Sequence, residues 1–248
     1  MSSVILTSYF SKKIHPNDPN DKHVIGRMED GRVSQNNIEY IKNWYDSVKN
    51  LNLEARIFCD NLTSEFIEKY TTDKIKFVTI EPSDYSNNDW RFFCYRNYLE
   101  ENKFESVFLT DSSDVMVVKD PNLIINEYSN YDFFVCKDSL KLNEFPYLNI
   151  HKQANWENFI YFAISEKLLD LINMGVIGGS YSNIMLFLNT FCETRIRLGN
   201  PSFNSDMWTG QYVFRHLLSH KKTFIGEPFT SIFKQYQNNR KDVYFIHK

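Results

Sequence analysis

Apolar positions along this chain keep two rhythms that alternate with each other. Val4 to Phe10 (VILTSYF) is an unbroken β-branched and aromatic run, the pattern of a buried strand, and the polar stretch behind it, with Pro16 and Pro19, predicts a loop extending to about Ser34. Ile38, Ile41, Trp44, Tyr45, Val48 and Leu51 then recur at spacings of three and four, which predicts an amphipathic helix with one face on a core. The alternation continues with a strand over Ala55–Cys59 that ends at Asp60, a helix over about 64–70, a strand over 76–80 and a helix over about 89–101. A strand over Ser106–Thr110 follows and stops at Asp111. After Pro121 the pattern loosens. It predicts strands over 131–136 and 174–177, helices over about 181–197 and 207–220, and short terminal strands over 223–225 and 243–246.

Strand and helix alternating four times predict an α/β fold with a parallel or mixed sheet and helices on its faces. At 248 residues, and with only 8 Gly and 7 Pro to build a linker, the chain is expected to form one domain. Residues 1–120 make its regular half and 121–248 its less regular half. Ligands in open α/β sheets sit beyond the carboxyl ends of the strands, so Thr7, Asp60 and Asp111 are predicted to face one crevice.

Composition narrows the function classes. A net charge of −3, with 28 basic against 31 acidic residues, disfavours a nucleic-acid partner. The first residues lack a basic segment followed by a long apolar one, and no apolar run is long enough to span a bilayer, so a cytoplasmic protein without a membrane span is expected. Cys59, Cys94, Cys136 and Cys192 are far apart with no CxxC pair, which predicts buried free thiols.

The candidate chemistry centres on Asp111-Ser112-Ser113-Asp114, framed by an apolar strand before it and another after it, Val115–Val118. Carboxylates offered by a loop at a strand end suit a hard divalent cation that also contacts phosphate oxygens. The same residues satisfy a β-turn in which Asp and Ser fill their usual positions, and the local pattern does not separate the two.

This stretch, with the apolar strand running on toward Asp120-Pro121, resembles the metal-binding strand of the GT-A glycosyltransferases, in a DxxD variant similar to that of bacterial and viral members. Ser113 stands where the family's second acid falls, and Asp114 follows it. The likeness extends over most of the chain: Val4 to Tyr9, Trp44-Tyr45-Asp46-Ser47-Val48, Phe58-Cys59-Asp60, Asp89 to Arg96, Met174 to Ser180, Asn204 to Gln211 and Phe245 to Lys248 each resemble a segment of these enzymes.

The resemblance implies a GT-A, Rossmann-like mixed sheet whose first half binds the nucleotide and whose second half takes the sugar and acceptor. It implies Mn²⁺ or Mg²⁺ at Asp111, Ser113, Asp114 and His247, and a nucleotide-sugar donor, most simply a UDP-sugar, held by Thr7, Ser8, Tyr9, Asp60, Arg91 or Arg96, Gly178, Gly179 and Lys248. Asp206 would be the acid or base on the side of the acceptor, a hydroxyl of a glycan or another molecule. Arg91 and Arg96 are five apart and do not share a helical face, so one of them is expected at the site and the other on the surface. An Asp opening a helix, as Asp206 would, is also an ordinary N-cap.

Two other readings compete. A haloacid-dehalogenase-type phosphatase would need an Asp where this chain has Ser113. A non-catalytic nucleotide- or carbohydrate-binding protein would use aromatic faces such as Tyr85, Trp90, Trp156 and Trp208, although large aromatics are more often core. His216 and His220 are spaced i, i+4, but HLLSH lacks the glutamate of a zincin motif.

Overall fold

The computed structural model describes residues 2–16, 28, 30–144, 155–166 and 168–248. His23 and His151 lie outside them. The elements in chain order are β1 (Val4–Tyr9), α1 (Lys42–Asn50), β2 (Ala55–Cys59), α2 (Ser64–Tyr70), β3 (Ile75–Thr79), α3 (Asn87–Glu101), β4 (Ser106–Thr110), β5 (Val115–Val117) and α4 (Asn122–Glu127). After these come β6 (Phe133–Lys141), α5 (Glu157–Ser165), β7 (Asp170–Ser180), α6 (Tyr181–Leu198), α7 (Asp206–Tyr212), β8 (Thr223–Ile225) and β9 (Phe245–His247).

Seven strands form one mixed sheet in the order β3-β2-β1-β4-β7-β6-β8, while β5 and β9 pair as a separate antiparallel ribbon. β7 alone runs against its neighbours, antiparallel to both β4 and β6, whereas the other pairings are parallel. Both halves of the chain thus contribute to a single α/β sheet, as the alternation predicts.

Strand pleating divides the core into two layers, because successive side chains point to opposite faces. Val4, Leu6, Val107 and Leu109 join Phe92, Tyr95 and Leu99 of α3 and Phe187, Leu188 and Phe191 of α6 on one face. Ile5, Ala55, Ile57 and Phe108 join Trp44, Tyr45 and Val48 of α1 and Phe66 of α2 on the other. A third cluster packs α5 on α7 through Phe159, Phe162, Trp208 and Tyr212.

The second half departs from expectation in several places. β6 runs on to Lys141 and β7 begins at Asp170, both longer than the predicted strands. α7 stops at Tyr212 and gives way to a π-helical turn over Val213–Leu217, so the predicted helix over 207–220 is interrupted. Gly178 and Gly179 lie inside β7 rather than in a turn, and the helix opens behind them with Ser180 as its N-cap. Among the described residues no helix is long and apolar enough to cross a membrane.

Candidate metal centre

β1 and β4 are locked together at their carboxyl ends before any ligand is considered. The Thr7 hydroxyl donates to the Thr110 carbonyl at 2.9 Å, Trp44 Nε1 donates to Thr110 Oγ1 at 2.8 Å, and the Ser112 hydroxyl donates to the Ser8 carbonyl at 2.8 Å. These bonds fix the loop that leaves β4, and the amide of Asp111 donates to the Gly175 carbonyl on β7 at 2.7 Å. Asp111 and Asp114 therefore start from a rigid base.

The ribbon of β5 and β9 brings His247 to the same place. Val115 pairs with His247, and the Lys248 amide donates to the Asp114 carbonyl at 2.9 Å. His247 Nε2 lies 3.6 Å from Asp114 Oδ2 and 3.8 Å from Asp111 Oδ2, too far for hydrogen bonds. Nε2 is buried without a hydrogen-bond partner among the described residues. One ligand atom from each of Asp111, Asp114 and His247 lies within 4.8 Å of the others, a spacing that a single cation can bridge. An ion about 2.1 Å from each of two ligands holds them about 3.0–3.7 Å apart at ordinary coordination angles.

Gly175 completes the cradle. A Cβ there would lie 2.6 Å from His247 Nε2 and 2.7 Å from Asp111 Oδ2, so the space beside the triad exists only because position 175 has no side chain. Pairing of β6 with β7 jumps at this point from Val135–Ile177 to Cys136–Asn173, leaving Met174, Gly175 and Val176 unpaired with β6. Such interruptions re-aim side chains at functional sites. Here the His247 ring lies between Gly175 and Cys136, whose Sγ is 3.2 Å from Nδ1, while the ring of Phe233 packs on it at 4.3 Å.

Electrostatics favour a cation. Burial raises the Asp114 carboxyl, but His247 beside it outweighs this and holds it below the usual carboxylate range. Burial lowers the His247 imidazole, but Cys136 and Asp114 raise it to about 10. The Asp114 carboxylate thus favours positive charge at this point, the charge a bound divalent ion would supply instead. Ligand chemistry fits the same group, since two carboxylates and one imidazole suit Mn²⁺ and related divalent ions.

Arg91 comes to the centre from α3. Its Nη1 is ion-paired with Asp111 Oδ1, and its Nη2 reaches Asp206 Oδ2 at 3.2 Å and the Met174 carbonyl at 3.3 Å. The Asp111 carboxylate is therefore divided, with one oxygen on Arg91 and the other facing His247. Arg96 points elsewhere, to Asn97 and to Glu100 at 3.7 Å.

Several sequence-predicted residues are engaged away from the triad. Thr7 and Tyr9 are buried in the sheet, and the Tyr9 hydroxyl donates to the Ser34 carbonyl at 2.6 Å. Asp60 accepts the amides of Ser11 at 2.8 Å and Lys12 at 3.3 Å, tying the loop after β1 to the end of β2. Ser113 is half-buried between the two acids. Gly178 and Gly179 are spent on packing, since a Cβ would strike the Phe108 ring at 178 and the Asp132 carbonyl at 179; neither faces the triad. Asp206 is buried and is the first residue of α7, with Ser205 rather than Asp206 as the N-cap; burial raises its carboxyl, partly offset by Arg91. Trp208 is core, whereas Tyr85 and Trp90 are half-buried and stack at 6.5 Å.

Sequence reasoning did not single out Gly175, Cys136 or Asn87. Asn87, Arg91 and Tyr95 are spaced i, i+4, i+8 and form one buried stripe of α3; Asn87 Nδ2 and Arg91 Nε have no hydrogen-bond partner among the described residues. That periodicity was a readable signal. No protein-family model matches this chain, and no curated protein matches it.

Proposed function

We propose that this protein is a metal-dependent glycosyltransferase that moves a sugar from a nucleotide-diphosphate donor, most simply a UDP-sugar, to a hydroxyl of a glycan or another acceptor. The observation that carries the reading is the convergence of Asp111, Asp114 and His247 on one point at the carboxyl end of β4. The α/β sheet supports it, because that end is where such sheets receive nucleotides.

Asp111, Asp114 and His247 would hold Mn²⁺ or Mg²⁺. When bound, the ion supplies Lewis-acid neutralisation of the diphosphate leaving group. Arg91, already on Asp111, keeps that carboxylate oriented and adds fixed positive charge beside the leaving group. Asp206 holds Arg91 from behind, and its burial suits that positioning role better than proton exchange with an acceptor. Tyr85 and Trp90 are half-buried, and both stack on Phe93, so their faces are largely spent on packing.

A non-catalytic nucleotide-sugar-binding protein would use the same residues without turnover. The deciding experiment incubates a panel of nucleotide sugars with the protein and Mn²⁺ and scores release of nucleoside diphosphate, with EDTA and Asp114→Ala as controls. Metal-dependent release that disappears in the variant supports the transferase. Binding without release from any donor, whatever acceptors are supplied, supports the binding protein. Neither release nor Mn²⁺-dependent binding overturns both.

A further inference from the structure

His247 can hold an ion through Nε2 only if the ring keeps a proton on Nδ1 and that proton has an acceptor, because a neutral imidazole has one N–H and one lone pair. Inside the protein that acceptor must come from the fold, since His247 is only 1% exposed. The partner at Nδ1 is the Cys136 sulfur at 3.2 Å. Metal-bound histidines ordinarily present this second nitrogen to a carboxylate, a backbone carbonyl or water; here both carboxylates of the cluster lie on the Nε2 side.

Cys136 is built to accept. Its own S–H has carbonyl partners, Lys137 O at 3.5 Å and Ser231 O at 3.8 Å, which leaves sulfur lone pairs for the imidazole. Ser231 holds the other end of the histidine as well, accepting the His247 amide at 2.9 Å and donating to its carbonyl at 3.2 Å. Phe233 and the bare face of Gly175 confine the ring from its sides. The ring thus has one orientation, with Nδ1 on sulfur and Nε2 aimed between Asp111 and Asp114.

We infer that Cys136 is a positioning residue for the metal centre: its sulfur accepts the Nδ1–H of His247 and so presents Nε2 to the cation. This rests on the metal-dependent reading above and extends it to a buried thiol that sequence reasoning leaves inert. Serine should retain much of the function as a smaller acceptor. Valine, similar in bulk to cysteine but without an acceptor, should not.

The test is Mn²⁺ binding followed by electron paramagnetic resonance for the wild type, Cys136→Ser, Cys136→Val, Cys136→Ala and His247→Ala, with folding checked by circular dichroism. Loss of an outer partner of this kind weakens metal affinity about 10–100-fold, and that loss is expected for valine and alanine, with serine closer to wild type. In the Zn²⁺-loaded wild type, long-range proton–nitrogen spectra should place the proton of His247 on Nδ1. A folded Cys136→Val protein that binds Mn²⁺ within twofold of wild type overturns the inference alone, as does a wild-type spectrum with the metal on Nδ1. A wild type that binds no Mn²⁺, or whose binding survives His247→Ala unchanged, overturns the metal centre itself and the inference with it.

Discussion

Gly175 shows how much a single missing side chain can decide. Both the His247 ring and the Asp111 carboxylate occupy the volume that a methyl group at 175 would need. The Gly175→Ala protein is therefore expected to fold, with its far-ultraviolet circular dichroism kept, while one or both ligands are pushed aside and Mn²⁺ affinity falls at least tenfold; unchanged affinity would mean that the cradle is not where the ion sits. Why this glycine was not legible follows from its neighbours. Gly175, Gly178 and Gly179 look alike in sequence, and the latter two make room for Phe108 and for the Asp132 carbonyl, whereas the first makes room for the site. The two acids were readable because they interrupt two apolar runs. Cys136 was not, since nothing in a linear pattern tells a thiol packed on leucines from one packed on imidazole.

At the scale of elements, strands buried on both faces declare themselves and irregular ones do not. β1, β2 and β4 are short apolar runs bounded by polar residues, and they fall within a residue of where the pattern puts them. α5 escaped because it is apolar nearly all round: Phe159, Phe162 and Ala163 are buried while Tyr161 and Ile164 are exposed, which leaves no amphipathic period to read. α3 and α6 are joined by an ion pair that sequence could not suggest. Arg195 and Asp89 are fully buried, with Nε 2.9 Å from Oδ2, and Arg195 also donates to the carbonyls of Gly199, Asn200, Pro201 and Phe203. Arg195→Met would leave Asp89, which keeps the Ser86 hydroxyl and the Ser205 amide, without its counter-charge and would strand four carbonyls, so unfolding in urea is expected to show a loss of about 3–5 kcal/mol, the usual consequence of removing one partner of a buried pair. A contrasting pair joins β6 to β7. Lys141 and Lys137 hold the Asp170 carboxyl down to about 2, but its side chain is 40% exposed. A lowered carboxyl stabilises the fold above its unfolded value near 4, and the contribution disappears as the pH falls through 2. Solvent screening keeps the amount under about 1 kcal/mol. Asp170→Asn should therefore cost a few tenths of a kcal/mol at pH 7, and its urea curve should converge on that of wild type as the pH approaches 2.

Across the whole molecule, the candidate metal centre is the seam between two sheets. Asp111 leaves the end of β4 in the seven-stranded sheet, Asp114 leads into β5, and His247 ends β9, so the ribbon and the main sheet meet at these three residues. Without an ion the seam is held by Arg91 on Asp111 and by backbone contacts such as the Asp111 amide on the Gly175 carbonyl. An ion that binds only the folded chain adds its binding free energy to stability, about 2.7 kcal/mol at a hundredfold excess over Kd. For a chain of this length each kcal/mol moves the thermal midpoint by about 2–4 °C. Mn²⁺ is accordingly expected to raise the midpoint by about 5–10 °C, EDTA to reverse the shift, and Asp114→Ala to show none. The gain should reach the ribbon as well: hydrogen exchange should slow at the amides of β5 and β9, whose pairing is only three rungs long. β2 and β3 lie beyond β1 from β4, and their exchange should change only as far as global stability does. Exchange at β5 and β9 left unchanged by Mn²⁺ would place the stabilising ion somewhere other than this seam.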